Sequence, residues 1–366
     1  MKVLVMGGTN FNGLALVHEL VRQGHDVSVL NRGRSEAAIP ESVTRLIGDR
    51  SEPDTIRAAL AGTEWDVIQD VTAYHPEDVE LMIELFRDRV GHYIFASSTV
   101  TYAASGLLPI TEDHPDDRTD AQNEYGLHKL LCEDVLWKAH AEHGFPATSV
   151  PFSMVFGPHN MISAREQAMF RRVVDGRPII VPGDGETLLQ VGHVDDQAKA
   201  LEQMMGNSAT LGRRYNLTGS EFVTRNHYVA TIAAAAGAVD PDVRHVPHET
   251  MDALWTGDVL VDIGETGSML QTRSTSEGRA NPRRSAGAQR FQLAQLVQHL
   301  APNIHHWNAS TVFSIDRLRT DVGWAPEHTF ASMVEDTFAW WRGTDLAAQP
   351  KDWTFEDNLL GAIERS

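Results

Sequence analysis

Ser98, Tyr125 and Lys129 are the residues whose types and spacing most clearly predict chemistry. Tyr125 and Lys129 stand at positions i and i+4, so on a helix they share one face. An ammonium beside a phenol favours the phenolate, which would let Tyr125 exchange a proton with a substrate hydroxyl or carbonyl. Ser98 would hold the same substrate oxygen. A tyrosine and a lysine at this spacing also occur by chance on surfaces, and it is the order and placement of all three residues that favours catalysis.

A glycine-rich loop, GGTNFNG at residues 7–13, follows the apolar segment KVLVM. Such a run predicts a buried parallel strand from Lys2 to Met6, and the apolar spacing after it predicts a helix over residues 12–23. Glycines between a strand and a helix let the backbone approach a pyrophosphate, and the helix N-terminus faces the anion. Asn10 replaces the middle glycine of the Rossmann pattern, although asparagine tolerates positive φ better than most residues. The alternative is an ordinary glycine turn.

The residues after the second predicted strand indicate which dinucleotide would bind. An NAD-binding protein usually has Asp or Glu there to bond the adenosine ribose, whereas this chain has Asn31, Arg32, Gly33 and Arg34. Two arginines without an acid suit a 2′-phosphate, so the sequence favours NADP and leaves NAD as the alternative. Solvated surface arginines would also explain the pattern.

Strand and helix signals alternate through the first half of the chain. The predicted strands continue at 26–30, 43–47, 66–70, 93–96 and 147–150, and the predicted helices at 53–61, 77–89 and 124–143. Alternation of this kind implies a parallel sheet with helices on both faces. We therefore predict an α/β fold, a Rossmann doubly wound parallel sheet with a smaller C-terminal lobe. Asp49 is placed to reach adenine, and Thr72 and Ala73 would lie under the cofactor.

The regularity weakens beyond about residue 160, which suggests a division of the chain. We expect an NAD(P)-binding domain over 1–160 with further core elements from about 190–220, a largely substrate-binding lobe over 161–345, and a C-terminal tail over 346–366. Helices are predicted near 164–175, 195–205, 224–237 and 330–342. The basic segment 271–290 is either a mobile loop or a clamp for a substrate anion; its arginines are Arg273, Arg279, Arg283, Arg284 and Arg290.

The composition disfavours several classes of protein. Among 366 residues, 31 Lys and Arg stand against 50 Asp and Glu, a formal charge of −19 that disfavours nucleic acid or an anionic membrane as partner. The single cysteine, Cys132, forms no internal disulfide, and no Cys cluster suggests zinc, so we expect no metal. Without a signal-like N-terminus or an apolar run of about 18 residues, we expect a cytoplasmic protein.

Six stretches, in order, resemble extended short-chain dehydrogenases/reductases of the NAD-dependent epimerase/dehydratase family: VLVMGGTNFNG, FASSTVTYA, EYGLHK, VFGPHN, VGHVDD and YNLTG. The forms GGTNFNG, LNRG and DVTAY are most similar to an atypical branch that also includes chloroplast stem-loop-binding proteins. The resemblance covers about residues 1–345 and implies that Ser98, Tyr125 and Lys129 are the catalytic triad. It implies a homodimer packed through two helices of each subunit. It also implies that the cofactor pyrophosphate is lined by Gly7, Thr9, Asn10, Phe11 and Gly13.

Departures from the family pattern restrict the expected reaction. The resembling sugar-nucleotide 4,6-dehydratases carry an Asp-Glu pair directly after the triad Ser or Thr, where this chain has Thr99 and Val100. We therefore do not expect dehydration by that route. The arginine usual in the strand before the F-G-P turn is also absent, because Val150 or Pro151 occupies its place.

Together these features predict hydride transfer between a nicotinamide and a secondary alcohol or ketone carbon of a sugar or nucleotide sugar. Tyr125 would be the acid/base, Lys129 its electrostatic support and Ser98 the anchor of the substrate oxygen. Both epimerisation through a transient ketone and net ketone reduction fit the residues. The alternatives are an NADPH-dependent ketone reductase of a non-sugar metabolite and a non-catalytic RNA-binding or redox-sensing relative. A charge of −19 opposes RNA binding, which cations drive.

Overall fold

The computed structural model describes residues 1–35, 37–120, 122–160, 165–256 and 308–363. The strands in these residues are β1 (Lys2–Met6), β2 (Asp26–Asn31), β3 (Thr44–Ile47), β4 (Trp65–Asp70), β5 (Val90–Ser98), β6 (Ala147–Phe152), β7 (Met154–Phe156), β8 (Ile179–Pro182), β9 (Leu188–Leu189), β10 (Val191–His193), β11 (Arg213–Arg214), β12 (Val223–Thr224) and β13 (Val243–Val246). The α-helices are α1 (Phe11–Arg22), α2 (Pro53–Ala59), α3 (Pro76–Phe86), α4 (Glu124–His143), α5 (Glu166–Val174), α6 (Val194–Met204), α7 (Arg225–Ala235), α8 (His248–Thr256), α9 (Asp316–Val322), α10 (Phe330–Arg342) and α11 (Thr354–Ile363). None of these helices is long and apolar enough to cross a bilayer.

The main sheet has seven strands in the order β11-β6-β5-β4-β1-β2-β3, and every neighbouring pair is parallel. This arrangement confirms the predicted Rossmann α/β fold. The strand order reverses between β1 and β4, so the loops after these two strands leave the sheet in different directions. In open parallel sheets, ligands bind in the crevice that such a reversal opens at the carboxyl ends of the strands.

Both faces of the sheet are covered, as the apolar run of β1 predicts. Because successive side chains of a strand point to opposite faces, Val3 and Val5 pack in a cluster with residues of α1 and α6. Leu4 and Met6 pack on the other face, in a cluster with residues of α3 and α4. The main-sheet core thus holds α1 and α4, the helices that carry the candidate site, against opposite faces of the sheet.

Strand β5 is longer than its apolar residues indicate. The apolar run predicts a strand over residues 93–96, whereas β5 extends from Val90 to Ser98. Three of the added residues, His92, Ser97 and Ser98, are polar but buried, and the His92 Nε2 is 2.8 Å from the Thr148 hydroxyl on β6. The parallel pairing of β5 with β6 continues through Ser97 and Ser98, so that Ser98 becomes the last residue of the strand.

The chain divides into two compact units. The first comprises residues 1–161, 190–221 and 312–333, and the second comprises residues 162–189, 222–311 and 334–366. Residues 312–333 therefore differ from the sequence-based division, which placed them in the C-terminal lobe. The stretch 346–366, expected to be a tail, contains α11 of the second unit, where Phe355 and Leu359 are buried. A substrate-binding role for the second unit stays a prediction.

Candidate active site at the carboxyl edge of the sheet

The loop between β1 and α1 has the tight backbone that a bound pyrophosphate requires. Gly7 has a φ of +112°, and a Cβ there would lie 2.7 Å from the Thr72 side chain. A Cβ on Gly13 would lie 2.7 Å from the backbone nitrogen of Gly8, so α1 can approach the loop only with glycine at position 13. The first turn of α1 contains no acidic residue, which keeps its positive dipole end available to an anion.

The conformation of Asn10 differs from the sequence-based interpretation. We expected asparagine to accommodate positive φ in place of a glycine. Instead, Asn10 is the extended N-cap of α1 with a φ of −136°, and the positive φ of 35° falls on Phe11. The loop keeps its turn because the residue after the expected position adopts the left-handed backbone.

Asn31 ends β2 at the place where an acidic residue would bond a ribose. Its Oδ1 accepts a hydrogen bond from the Gly33 backbone at 2.8 Å, which fixes the side-chain amide. The Nδ2 atom is buried and has no hydrogen-bond partner. A fixed and unsatisfied donor at this position suits an acceptor oxygen of an adenosine ribose or its phosphate.

Asp49 follows β3 and interacts electrostatically with the two arginines that follow β2. Burial alone would raise the pKa of Asp49, but hydrogen bonds from Ser51 and the nearby charges of Arg32 and Arg34 lower it. The Asp49 Oδ1 accepts from the Ser51 nitrogen at 3.0 Å and from its hydroxyl at 2.8 Å. The structure therefore brings Asp49 into the same neighbourhood as Arg32, a proximity that the sequence analysis did not predict.

Lys129 is buried at the centre of the candidate site, with 2% of the residue exposed. Its Nζ donates to the backbone oxygen of Ala73, after β4, and to that of Ala96, on β5, both at 2.7 Å. Burial lowers the pKa of Lys129 to about 8. The ammonium thus spans the carboxyl ends of two adjacent strands.

Aromatic rings surround the Lys129 ammonium. Its Nζ lies 4.8 Å from the ring centroid of Tyr74, 4.7 Å from that of Phe95 and 5.8 Å from that of Tyr125. Such distances allow cation–π attraction. Tyr74 and Tyr125 are both partly exposed, and their ring centroids are 6.2 Å apart. The structure therefore brings Tyr125 and Lys129 together, as the i, i+4 spacing predicts.

Helix α4 presents Tyr125 in its first turn. Asn123 caps this helix, since its Oδ1 accepts from the Gly126 backbone at 2.8 Å, and the left-handed Gly144 ends it. Ser98 ends β5 and is buried, and its hydroxyl accepts from the Val100 nitrogen at 3.4 Å. Ala96, which holds Lys129, is on the same strand. A 3₁₀ turn over Thr99–Thr101 follows, and it has no carboxylate.

A buried polar network that the sequence analysis missed fixes the loop after β4. Asp70 is fully buried, and its Oδ1 accepts from the backbone nitrogens of Thr72 and Ala73 at 3.1 and 3.0 Å. Its Oδ2 accepts from the Tyr93 hydroxyl at 2.5 Å and from the Arg50 guanidinium at 2.6 Å. Burial raises the pKa of Tyr93 well above its usual range, as does the Asp70 carboxylate, so the phenol stays a donor. The network thereby fixes the Ala73 carbonyl that holds Lys129.

The sequence carried one signal for this network. Asp70 is a charged residue at the end of the strand WDVIQD, and a buried charge must be paired. Thr72 also donates from its hydroxyl to the Met6 carbonyl at 3.1 Å, joining the loops after β1 and β4. The five arginines of segment 271–290 lie outside the described residues. Among the described residues, no group of three or more metal-ligating side chains occurs.

A family model confirms the resemblance that these residues suggested. The model of the NAD-dependent epimerase/dehydratase family matches residues 3–218. The chain belongs to this family. It is therefore an enzyme of the NAD-dependent epimerase/dehydratase type, and the matched range includes the glycine loop and the Ser-Tyr-Lys set.

Several curated proteins are similar to this family member over part of their length. It is 31% identical over 264 residues to the chloroplast stem-loop binding protein of 41 kDa b of Arabidopsis thaliana, covering 69% of this chain and 67% of the relative. It is 26% identical over 237 residues to 2'-dehydrokanamycin reductase of Streptomyces kanamyceticus, covering 62% and 66%. It is 29% identical over 176 residues to UDP-glucose 4-epimerase of Lactobacillus helveticus, covering 43% and 52%. The chain spans about two thirds or less of each relative.

A solved structure supports the fold of the family member. The dTDP-glucose 4,6-dehydratase of Bacillus anthracis, solved in complex with NAD, superposes with a TM-score of 0.68 at 14% sequence identity, and covers 94% of this chain and 97% of that one. At this identity the likeness shows the shared architecture.

Proposed function

We propose that this family member transfers a hydride between a nicotinamide cofactor and a secondary alcohol or ketone carbon of a sugar or nucleotide sugar. The observation that carries the proposal is the buried Lys129 ammonium, held by Ala73 and Ala96 and lying 5.8 Å from the Tyr125 ring. Burying an ammonium costs free energy that packing alone does not require. Beside a phenol, the ammonium stabilises the negative charge that Tyr125 carries after it releases its proton.

Tyr125 is the acid/base in this proposal. During oxidation its phenolate takes the proton of the substrate hydroxyl, and during reduction its hydroxyl returns a proton to the carbonyl oxygen. Ser98, at the carboxyl end of β5, donates a hydrogen bond to the same oxygen and so orients it. Lys129 stabilises the phenolate and remains charged while its two backbone acceptors hold it.

The residues present fit a nicotinamide dinucleotide, which when bound supplies the carbon that accepts or donates the hydride. The backbone of residues 7–13 and the N-terminus of α1 would hold the pyrophosphate, and Asn31 Nδ2 would donate to the adenosine ribose or its phosphate. We propose that NADP is preferred over NAD, since Asn31 and Arg32 replace an acidic residue, while Asp49 reaches adenine. Arg32→Ala should weaken NADPH binding and leave NADH binding unchanged. If the ratio of the two dissociation constants is the same in the variant and in the wild type, Arg32 does not select NADP.

The names of two relatives support a sugar or nucleotide sugar as the substrate class. UDP-glucose 4-epimerase and 2'-dehydrokanamycin reductase indicate an epimerase or a reductase of a sugar-derived ketone. The 3₁₀ turn after Ser98 has Thr99 and Val100 and so lacks the acidic pair that the sequence analysis associates with dehydration. We therefore favour epimerisation or ketone reduction over elimination of water.

The proposal is tested by replacing Tyr125 with phenylalanine. Interconversion of UDP-glucose and UDP-galactose, and oxidation of NADPH with 4-ketosugar nucleotides, would be measured on the purified chain. Tyr125→Phe should lower turnover at least about 10²-fold, the lower end of what a general acid/base contributes, while nucleotide affinity stays nearly unchanged.

Tyr74→Phe is the matched control, because Tyr74 is the other partly exposed tyrosine beside Lys129. It keeps the ring that faces the ammonium and loses only a hydroxyl, so we expect turnover close to that of the wild type. Equal activity of Tyr125→Phe and the wild type, or loss of activity in Tyr74→Phe alone, would contradict the assignment of the acid/base.

A second candidate function is RNA binding, favoured by the likeness to a chloroplast stem-loop binding protein. The formal charge of −19 opposes it, because cations that replace phosphate counterions drive such binding. Mobility-shift titration with a stem-loop RNA at low salt would decide. Tight binding that falls steeply with added salt would establish this function beside catalysis, and no shift would remove it.

A further inference from the structure

Arg225 is a charged residue that the second compact unit buries almost completely. It is the first residue of α7, and 1% of it is exposed. Its Nε donates to the Thr187 hydroxyl at 2.8 Å, whereas Nη1 and Nη2 are buried without a hydrogen-bond partner. Burial lowers the pKa of Arg225 to about 10, so the guanidinium still carries its charge near neutral pH.

Other buried or largely buried arginines of the described residues face carboxylates. The pairs are Arg172 with Glu356, Arg50 with Asp70, and Arg214 with Glu133 and Asp116. Arg225 has no such ion pair in the described part of the chain. A buried charge without a partner strongly destabilises a fold. An anion would supply the partner that Nη1 and Nη2 lack.

The surrounding backbone holds the guanidinium in a defined orientation. Strand β12 pairs antiparallel with β9, with Thr224 opposite Leu188, which places Arg225 beside Thr187. The next residue, Asn226, donates from its backbone nitrogen to the Gly185 carbonyl at 3.1 Å. Because Thr187 already occupies Nε, the remaining edge of the guanidinium is the pair Nη1 and Nη2. That edge matches two oxygens of one phosphate or carboxylate.

We propose that Arg225 binds an oxyanion, a phosphate or carboxylate group of a small-molecule ligand, through Nη1 and Nη2. The inference goes beyond the proposed function and does not depend on it. Arg225 is none of the residues assigned above to the Ser-Tyr-Lys set, to the dinucleotide loop or to the basic segment 271–290.

The test is thermal unfolding of the whole enzyme saturated with NADPH, which prevents phosphates from binding at the dinucleotide loop. Inorganic pyrophosphate and UDP probe for a phosphate site, and malonate probes for a carboxylate site. Each is titrated into the wild type, Arg225→Met and Arg225→Lys. Arg244→Met is the matched control, because Arg244 is an exposed arginine of the same unit paired with Asp242.

We expect at least one probe to raise the melting temperature of the wild type and of Arg244→Met. The same probe should have no effect on Arg225→Met, and it should bind Arg225→Lys at least about tenfold more weakly because lysine lacks the two-nitrogen edge. Stabilisation by pyrophosphate or UDP would assign a phosphate, and stabilisation by malonate alone would assign a carboxylate. Without any probe, Arg225→Met should be at least as stable as the wild type, since it loses an unpaired buried charge.

Three results would overturn the proposal: no probe stabilises the wild type, the probes stabilise the wild type and Arg225→Met equally, or both Arg225 variants are strongly destabilised without ligand. The last result would show an internal partner. Probe binding by Tyr125→Phe separates this inference from the proposed function, because that variant should lose turnover and still bind the probe.

Discussion

Replacing Lys129 with methionine should change both the pH dependence of the stability of the fold and the turnover of the enzyme. Only 2% of Lys129 is exposed, and burial lowers the pKa of its ammonium from 10.5 to about 8. Methionine has a side chain of similar length without a titrating group. The variant therefore removes the charge and its two hydrogen bonds while the space stays filled.

The sign and size of the pH effect follow from the lowered pKa of Lys129. Between about pH 8 and 10.5 the folded protein has released a proton that the unfolded chain still binds, so the free energy of unfolding rises with pH. The interval from about 8 to 10.5, at about 1.36 kcal/mol per pH unit, gives about 3 kcal/mol. Burial of the ammonium thus destabilises the wild type by about 3 kcal/mol below pH 8, and this effect vanishes above pH 10.5.

The assay is urea unfolding of the wild type and Lys129→Met at a series of pH values from about 7 to about 11. Comparing the two proteins cancels the titration of the groups that do not interact with Lys129. The free energy of unfolding of the wild type, relative to Lys129→Met, should rise by about 3 kcal/mol from pH 8 to 10.5. The variant should also lose turnover at every pH.

Lys351→Met is the matched control in the second compact unit. Burial also lowers the pKa of Lys351 to about 8, and its Nζ lies 3.2 Å from Glu356. Its replacement should change the pH dependence of stability in the same direction and leave turnover unchanged. A stability difference between the wild type and Lys129→Met that stays flat with pH would refute the burial argument, and normal turnover of Lys129→Met would refute the role of Lys129.

Two further predictions concern the network after β4 and the C-terminal helix. Tyr93→Phe removes the hydroxyl that donates to Asp70 at 2.5 Å. Urea unfolding of this variant should show a free energy of unfolding lower by about 1–3 kcal/mol, and its turnover should be lower at unchanged NADPH affinity. Stability equal to that of the wild type would show that Arg50 alone satisfies Asp70. Leu359→Ala truncates a fully buried side chain of α11 and should destabilise the second unit by about 2–5 kcal/mol. Limited proteolysis should then cut that unit sooner, and unchanged proteolysis would mean that the stretch 346–366 behaves as the tail that its sequence suggested.

Much of the fold could be predicted from the sequence because apolar periodicity follows burial directly. The runs in β1 and β4 and the apolar spacing of α1 gave elements at nearly the observed positions. Periodicity does not report polar residues that are buried through partners. For that reason, the prediction for β5 stopped before Ser98, and the structural role of His92 was missed.

The candidate site was predicted residue by residue but not as a network. The i, i+4 spacing places Tyr125 beside Lys129 because one helix carries both. The acceptors of the Lys129 ammonium are backbone carbonyls of Ala73 and Ala96, which no side-chain pattern specifies. The fixation of the Ala73 loop by Asp70 depends on contacts with Arg50 and Tyr93, which lie in other parts of the chain. The same is true of Arg225, whose unsatisfied guanidinium is visible only once its surroundings are known.

The measurement that tests the central claim most directly is equilibrium binding of NADPH and NADH, after mass spectrometry of any nucleotide released when the purified protein is denatured. Gly13→Ala is the informative variant, because its Cβ would lie 2.7 Å from the Gly8 nitrogen. Gly106→Ala is the matched control, since a Cβ there would have no atom within 4 Å.

We predict that the wild type and Gly106→Ala bind NADPH more tightly than NADH, and that Gly13→Ala binds both at least about tenfold more weakly. A protein that releases no nicotinamide dinucleotide and binds none would contradict the account, as would a Gly13→Ala variant that binds NADPH as tightly as the wild type.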